Sequence, residues 1–425
     1  MTRSPRALLA ATALAGLLAT APAFAAPTAE AVVETYADIA HAMYADSLAA
    51  ARDLRGAVDA LLESPSDATL AAAREAWLAA RVPYQQTEGL RFGNALVDEW
   101  EGKVNAWPLD EGLIDYVDTD GYGEESDENP LYTANVIANE TIRVGRETID
   151  AATIDIDLLQ ALHEADGVEA NVSTGYHAIE FLLWGQDLNG TDAGAGERPA
   201  SDFATGDDCT NGHCARRRDY LVAATDLLIS DLEEMVAAWE DGGAARADIV
   251  GKGAEGGLAT ILTGLGSLSY GELAGERMKL GLLLHDPEEE HDCFSDNTHN
   301  SHYYNQVGMQ ALWGGRYERP DGTMVTGASL ADYATAQAPE AAQAVSAAME
   351  EAHARLAVMK QRADDGIEAY DQMLAMGNAE GNAVIEAGVE GLVAQARALE
   401  ALVAGLGLAI TVEGSDSLDD PTLVR

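Results

Sequence analysis

Apolar residues along this chain recur three and four positions apart, in a background rich in Ala, Leu, Glu and Arg. This spacing matches the 3.6-residue period of an α-helix, so the chain is predicted to be all-α. The first helix should cover residues 28–63 and stop near Pro65. Ser66 or Asp67 can cap a second helix, which should run to about Arg91. Further helices are predicted near residues 131–150, 155–165, 172–185, 215–241, 254–284, 299–313, 329–336, 340–376 and 380–408.

One stretch interrupts the helical pattern. Residues 187–214 are crowded with Gly, Asp, Pro and Ser, a composition typical of a connecting loop. The loop separates a half made of residues 26–186 from a half made of residues 215–425, and each half opens with a long amphipathic helix. We therefore expect two four-helix-bundle-like domains that arose by an internal duplication.

The first 25 residues have the three parts of a secretory signal peptide. Arg3 and Arg6 make a basic start, and Leu8–Leu18 form an apolar core that is too short to span a bilayer stably. A small-x-small cleavage site follows and ends at Ala25. We expect cleavage near Ala25 and a protein that is periplasmic or otherwise exported. No later segment is a candidate membrane span, so no direct membrane insertion is expected.

The composition is strongly acidic, with 72 Asp and Glu against 25 Lys and Arg and a formal net charge of −47. Such a chain repels phosphates, which argues against nucleic acid and against anionic membrane surfaces as partners. Solubility in a saline setting explains this charge, because acids spread over solvated helix faces need no ligand. An attraction for cations is the alternative explanation.

The three cysteines leave their pairing open. Cys209 and Cys214 lie close together in a polar loop of a chain predicted to be exported, so a disulfide between them is expected. Cys293 is then a free thiol, or it is the partner of either loop cysteine.

The most informative segment is residues 175–185, GYHAIEFLLWG. His177 and Glu180 are three positions apart and share one face of a helix whose other residues are apolar nearly all round. Such a helix is buried, and burying a carboxylate with an imidazole is unfavourable unless they pair with each other or bind a metal. The segment therefore predicts either a structural His–Glu pair or a metal site.

The first half contains other candidate ligands. Four-helix bundles build metal sites from inward Glu and His side chains on facing helices, so His41, Glu88 and Glu111 could join the His177–Glu180 pair. Each has a structural alternative: His41 as a core histidine, Glu88 as an exposed helix acid, and Glu111 as part of a helix start. Oxygen and imidazole donors suit iron, zinc or manganese, and no sulfur donor favours copper(I).

A second group of candidate ligands surrounds residues 285–302, which hold four of the nine histidines. Its members combine carboxylates with imidazoles: Glu276, Glu290, His291, Asp292, Asp296 and His299. They predict a second cation site, separate from the His177 site or facing it across the domain interface. A solvated acidic loop with chance histidines is the alternative. Because imidazole ligands must be neutral, affinity should fall as the pH drops through about 6.5.

Four stretches together resemble the imelysin-like family. They are AREAWLAARVPYQQTEGLRFG at residues 73–93, KVNAWPLDEGLIDYV at 103–117, the G-x-H-x-x-E signature within GYHAIEFLLWGQD at 175–187, and EHDCFSDNTH at 290–299. The last is similar to the branch called iron-regulated protein A. The resemblance implies the two-bundle architecture. It also implies one of the family's activities, which include periplasmic iron uptake, alginate binding and metallopeptidase activity.

No peptidase motif supports an enzyme. The common zinc proteases need His-Glu-x-x-His, whereas His163-Glu164 is the one His-Glu pair in this chain and position 167 is Gly. We therefore expect an exported metal-binding protein, linked to iron in uptake or sensing, whose partners are a metal ion or small metal chelate and a membrane transport component. An imelysin-type metallopeptidase is the first alternative, and a cation-bridged polysaccharide-binding protein is the second.

Overall fold

Helices form most of the structure, which confirms the prediction of a mostly helical protein. The computed structural model describes residues 26–127 and 129–424, and the signal peptide predicted for residues 1–25 lies outside them. The helices in chain order are α1 (Ala29–Glu63), α2 (Asp67–Gln85), α3 (Ala95–Asn105), α4 (Ile156–Leu162), α5 (Gly175–Trp184), α6 (Cys214–Trp239), α7 (Ala244–Gly251), α8 (Gly253–Ser267), α9 (Leu280–Leu284), α10 (Thr298–Gly314), α11 (Leu330–Gln337), α12 (Pro339–Asp364), α13 (Tyr370–Leu374), α14 (Ala379–Leu406) and α15 (Asp416–Asp419). A π-helical segment, Leu268–Lys279, joins α8 to α9.

Two short antiparallel hairpins complete the secondary structure. They pair β1 (Thr141–Val144) with β2 (Glu147–Asp150), and β3 (Arg316–Glu318) with β4 (Met324–Thr326). The helix predicted near residues 131–150 is therefore wrong. Thr, Ile and Val alternate with polar residues in β1 and β2, which favours strands, and Gly145 adopts a positive φ of 58° in the turn between them.

The first two helices begin where the sequence predicts. The Thr28 side chain accepts a hydrogen bond from the Ala31 amide, and Ser66 and Thr69 form a reciprocal capping box at the start of α2. α2 ends earlier than the predicted Arg91. The Tyr84 carbonyl accepts hydrogen bonds from both the backbone amide and the hydroxyl of Thr87, and a short 3₁₀ turn follows.

Two groups of helices enclose the interior. α1 packs against α2 and α6, and Tyr36 meets Trp239 edge to face with ring centroids 6.0 Å apart. α12 packs against α14, which also covers the π-helical segment. α10 contacts both α2 and α12, so it links the two groups, and the turn that precedes α10 reaches α5.

The loop between α5 and α6 is held by covalent and ionic links. Cys209 and Cys214 form a disulfide, which confirms that expectation, and Cys293 is a free thiol. Beneath the loop the Asp115 carboxylate accepts hydrogen bonds from Arg198 at 2.7 Å and from Arg217 at 2.6 Å and 3.0 Å. All three side chains are buried, and the two guanidinium groups hold the pKa of Asp115 below its usual value against the opposing effect of burial.

No helix within the described ranges combines the length and the apolar composition that crossing a membrane requires.

Asp115→Ala should lower the free energy of unfolding by about 3–5 kcal/mol, because it leaves two buried cations without their shared partner. Urea denaturation followed by circular dichroism measures this. Glu233→Ala is the control, since it breaks an exposed ion pair with Arg52 and should change the free energy by about 1 kcal/mol or less. Equal losses in the two variants would contradict a structural role for the buried group.

Candidate metal centre

The helix that carries the His-x-x-Glu motif is fixed deep in the interior. Every residue of α5 is buried, and the Trp77 indole donates a 2.9 Å hydrogen bond to the Tyr176 carbonyl. Gly175 begins the helix with a φ of 78°, and a Cβ there would lie 2.4 Å from the Val104 carbonyl oxygen. Only glycine fits this close approach to α3, so the orientation of α5 is set by backbone contact.

Three potential ligands meet at the inner side of α5. His177, His291 and Asp292 are buried, and one ligand atom from each lies within 4.8 Å of the others. The rings of His177 and His291 meet edge to face with centroids 4.8 Å apart. Nε2 of His177 and Nδ1 of His291 are both buried and have no hydrogen-bond partner among the described residues. A buried polar atom without a partner is unfavourable, so each of these two nitrogens is a candidate to bind an ion. Nδ1 of His177 lies 4.0 Å from Oδ1 of Asp292.

Glu180 orients His177. Nδ1 of His177 lies 3.0 Å from Oε2 of Glu180, and Oε1 of Glu180 accepts hydrogen bonds from the Ser295 amide at 3.0 Å and hydroxyl at 2.6 Å. Both oxygens of Glu180 are therefore engaged, while Nε2 of His177 remains free. This arrangement is typical of a metal-binding histidine whose second nitrogen is held by a carboxylate.

Asp292 is anchored on several sides. Oδ1 of Asp292 lies 2.8 Å from a guanidinium nitrogen of Arg81. Oδ2 accepts hydrogen bonds from the side-chain amide of Asn297 and the hydroxyl of Ser301. Arg81 is also buried, with its guanidinium 5.0 Å from the centre of the Tyr176 ring. The Asp292 carboxylate is thus held in one orientation before any ligand arrives.

Asn105 fixes the second imidazole. Its carbonyl oxygen accepts a 2.6 Å bond from Arg81, and its amide nitrogen donates to Glu101 at 2.9 Å and lies 3.3 Å from Nε2 of His291. The bonds to Arg81 and Glu101 fix the orientation of the Asn105 amide, so its nitrogen faces Nε2 of His291 as a donor. Nε2 of His291 therefore accepts that hydrogen bond, and the neutral ring carries its proton on Nδ1. Coordination through Nδ1 therefore requires the loss of that proton or its transfer to Nε2.

Burial dominates the electrostatics of the cluster. Desolvation, with Arg81 nearby, lowers the pKa of His177 to about 3, and desolvation with Arg277 holds the pKa of His291 well below its usual value. For Asp292, burial acts to raise the pKa, but Arg81 and His177 outweigh it and the net shift is downward. Both imidazoles are therefore neutral at pH 6.5 and well below it, which moves the expected pH dependence of metal binding to lower pH.

Several predicted ligands lie outside this cluster. Glu88 is fully buried, but it pairs with Arg277 at 2.7 Å and with Arg91 at 3.4 Å. His41 is half-buried in α1 and makes no hydrogen bond or ion pair with any described residue. Glu276 is exposed on the π-helical segment. None of these three side chains is placed to join His177 directly.

The remaining predicted ligands lie around the turn before α10. His299 is half-buried, with Nε2 3.0 Å from the Asn300 amide nitrogen, and burial followed by Lys360 lowers its pKa to about 4. Glu111, Glu290 and Asp296 belong to a separate acidic region. Residues around the cluster that sequence reasoning missed are Arg81, Asn105, Ser295, Asn297 and Ser301.

The donor set fits a transition-metal ion. Two imidazoles and one carboxylate, as brought together here, are donors that Fe²⁺, Zn²⁺ and Mn²⁺ accept. Arg81 already neutralises part of the charge on Asp292. Nε2 of His177 is therefore the imidazole nitrogen ready to bind, whereas His291 contributes only once its Nδ1 proton is lost or moves to Nε2.

The comparison with known sequences agrees with the motif. The sequence model of the imelysin family, also named peptidase M75, matches residues 40–399. The chain belongs to the imelysin family. Iron-regulated protein A of Synechococcus elongatus is 39% identical over 62 residues, which are 15% of this chain and 17% of that protein. The aligned part is thus about a sixth of this relative's length.

Solved structures of imelysin-family proteins share the fold. One, described as an iron-regulated protein A precursor from Parabacteroides distasonis, superposes with a TM-score of 0.61 at 18% identity and covers 90% of this chain and 96% of its own. An imelysin-like protein from Psychrobacter arcticum gives a TM-score of 0.57 at 17% identity over 91% and 99% of the two chains. At these identities the likeness establishes the fold.

Another buried imidazole lies close to the cluster in α10. The ring of His302 packs edge to face on Tyr370 with centroids 5.0 Å apart, and neither ring nitrogen has a hydrogen-bond partner in the described chain. Burial, with Arg277 nearby, lowers its pKa from 6.5 to about 3. His302 is thus neutral in the folded protein.

His302→Leu should make stability less sensitive to acid. Between pH 6.5 and 3 the unfolded chain binds a proton at this histidine and the folded chain does not, so the free energy of unfolding falls as the pH falls. The decrease from pH 7.5 to 5.5 should be about 1.4 kcal/mol smaller in the variant than in the wild type. Urea denaturation of metal-free protein at both pH values measures it, and equal decreases would contradict the neutral state of His302.

Proposed function

We propose that the protein is an exported metal-binding protein that takes up or senses iron, with the ion held by His177, His291 and Asp292. The observation that carries this proposal is the pair of buried imidazole nitrogens without partners, beside a carboxylate that is already oriented. The same donors accept zinc or manganese. The complete burial of the three side chains suits a bare ion better than a chelate such as citrate.

The iron assignment is supported by the names of the relatives. Proteins called iron-regulated protein A share part of the sequence or the fold. Two histidines with one carboxylate also form the donor set of many non-haem Fe(II) sites. His177 offers Nε2 while Glu180 and Ser295 hold its other side, so the ligand is preorganised for capture and release of an ion rather than for chemistry on a substrate.

Export and domain organisation complete the proposal. The basic start, apolar core and cleavage site of residues 1–25 support secretion, after which a membrane transport component would receive the ion. We further propose that the two halves arose by duplication of a helical bundle, with residues 187–214 as the connection. The cluster draws His177 from residues 26–186 and His291 with Asp292 from residues 215–425, so both parts of the chain must fold together to form the site.

The proposal predicts that the two histidines control affinity. Metal-free protein should bind about one equivalent of Fe²⁺ under anaerobic conditions, and Zn²⁺ as its surrogate, in calorimetric titration. His177→Gln with His291→Gln should weaken binding on the order of 100-fold, because two of three donors are lost. His353→Gln is the matched control, since this half-buried histidine of α12 bonds to Tyr303 and does not belong to the cluster.

The pH dependence adds a second measure. Affinity of the wild type should persist at pH 5.5, since burial keeps His177 neutral there. Unchanged stoichiometry and affinity in the double variant, with its circular dichroism spectrum intact, would make the cluster structural and remove the basis of the proposal.

The metallopeptidase alternative predicts a different result. A hydrolytic site needs a base that is free to accept a proton from metal-bound water, whereas both oxygens of Glu180 are engaged by Ser295 and His177. Metal-loaded protein should therefore show negligible cleavage of unfolded protein substrates. Robust cleavage that Glu180→Gln abolishes while metal stays bound would identify Glu180 as the general base and reverse this ranking.

A further inference from the structure

A second concentration of ligands lies in a pocket beside the metal cluster. Four carboxylate side chains line it, together with the Cys293 thiol and the Phe294 ring: those of Glu111, Asp187, Glu288 and Glu290. The pocket is narrow, with a cavity volume of only about 10 Å³, which is room for about one water molecule. Glu288 is exposed at its mouth, while Glu111 and Glu290 are buried at its inner wall. We call this set the acidic pocket.

The inner wall contains carboxylate oxygens without partners. Glu290 is 1% exposed, and its Oε2 has no hydrogen-bond partner among the described residues. Asp371 does not line the pocket, but it is also 1% exposed and both of its oxygens lack a hydrogen-bond partner among the described residues. Oδ1 of Asp296 is also buried and has no hydrogen-bond partner among the described residues. The negative charges of Asp371 and Asp296 help to raise the pKa of Glu290, after burial itself. Buried carboxylates in this state require a ligand that supplies positive charge or hydrogen bonds.

No basic side chain balances these acids. Among the described residues, none of the four lining carboxylates and neither Asp296 nor Asp371 forms an ion pair with Lys, Arg or His. Glu88 and Glu272, by contrast, each form an ion pair with Arg277, at 2.7 Å and 2.6 Å respectively. The protein therefore neutralises one buried acidic group internally and leaves the other without a counter-charge.

This imbalance raises the proton affinity of the acids. Burial, followed by repulsion from Glu288, raises the pKa of Glu111 to about 8, and burial with Asp296 raises the pKa of Asp371 to about 7. Burial also raises the pKa of the Cys293 thiol well above its usual value, so sulfur is a poor ligand here. The available donors are therefore carboxylate oxygens.

We propose that the acidic pocket binds a hard divalent cation, Ca²⁺ or Mg²⁺, at a site separate from the His177 cluster. Four carboxylates line one narrow space, the charges of Asp296 and Asp371 act on it from nearby, and all-oxygen coordination is what these two ions prefer. Among the described residues no three of these acids bring oxygens within 4.8 Å of one another. Water molecules therefore complete the coordination shell, as is usual for Mg²⁺ and common for Ca²⁺. The assignment does not depend on the proposed function.

The test is calorimetric titration of chelator-treated mature protein with CaCl₂ and with MgCl₂. The wild type should bind at least one of these ions saturably and melt at a higher temperature when it is present. Glu111→Gln with Glu290→Gln should weaken that binding at least tenfold, since it removes two of the lining charges without changing side-chain size. Glu276→Gln is the matched control, because it removes an exposed charge outside the pocket.

Two further variants separate the outcomes. His177→Gln should leave Ca²⁺ and Mg²⁺ affinity unchanged, so failure of the iron site and failure of the acidic pocket are distinguishable. If the double variant loses its native circular dichroism spectrum, Glu288→Gln at the exposed mouth replaces it and should weaken binding at least threefold. A wild type without saturable binding of either ion, or a folded pocket variant with wild-type affinity, would overturn the proposal.

Discussion

The buried ion pair between Arg81 and Asp292 is the interaction on which the interior depends. Both side chains are at most 1% exposed, and they join α2 to the turn before α10 at 2.8 Å. Removing either partner would leave an uncompensated charge inside the protein, which costs about 3–5 kcal/mol in comparable cases. The pair also sets its surroundings, because Arg81 orients Asn105, Asn105 orients His291, and Asp292 is held ready beside both imidazoles.

The interior contains two kinds of buried carboxylate: those paired with arginines and those without a cationic partner among the described residues. Asp292 pairs with Arg81 and Glu272 pairs with Arg277, and the pKa values of both carboxyl groups are lowered although burial opposes this. Around Glu290 the acids repel one another and their pKa values rise. A network that is balanced internally fixes geometry, whereas an unbalanced one is completed only by something from solution. This difference separates structural acids from candidate ligands better than burial does.

Local features of the sequence predicted the local structure well. Three features depend only on residues within one or two helical turns of each other: the apolar face of α1, the Ser66 cap of α2 and the burial of α5. Sequence reasoning also selected His177, His291 and Asp292 as ligands by residue type and density, and the structure brings these three together.

What could not be predicted depends on distant partners. Glu88 looks like a surface acid until Arg277, which lies 189 residues later, is seen to pair with it. Arg81 has no local signal that distinguishes it from other helix arginines, and Asp371 lies in a short helix with no motif. Residues 141–150 form a hairpin, and only a short run of β-branched residues alternating with polar ones indicates it. A helix is instead predicted there from the sequence, because the composition of the whole chain favours helices.

The cluster is assembled from segments that are far apart along the chain: Arg81 and Asp292 are separated by 211 residues, and Glu180 and Ser295 by 115. A fragment of the chain, or a newly unfolded one, cannot present the three ligands together. An ion that binds only the folded chain raises its stability by about 2.7 kcal/mol at one hundred times the dissociation constant. Proteases would then degrade the protein faster when the metal ion is scarce, because more of the chain would be unfolded. The amount of intact protein would therefore rise with the concentration of the ion in the surroundings.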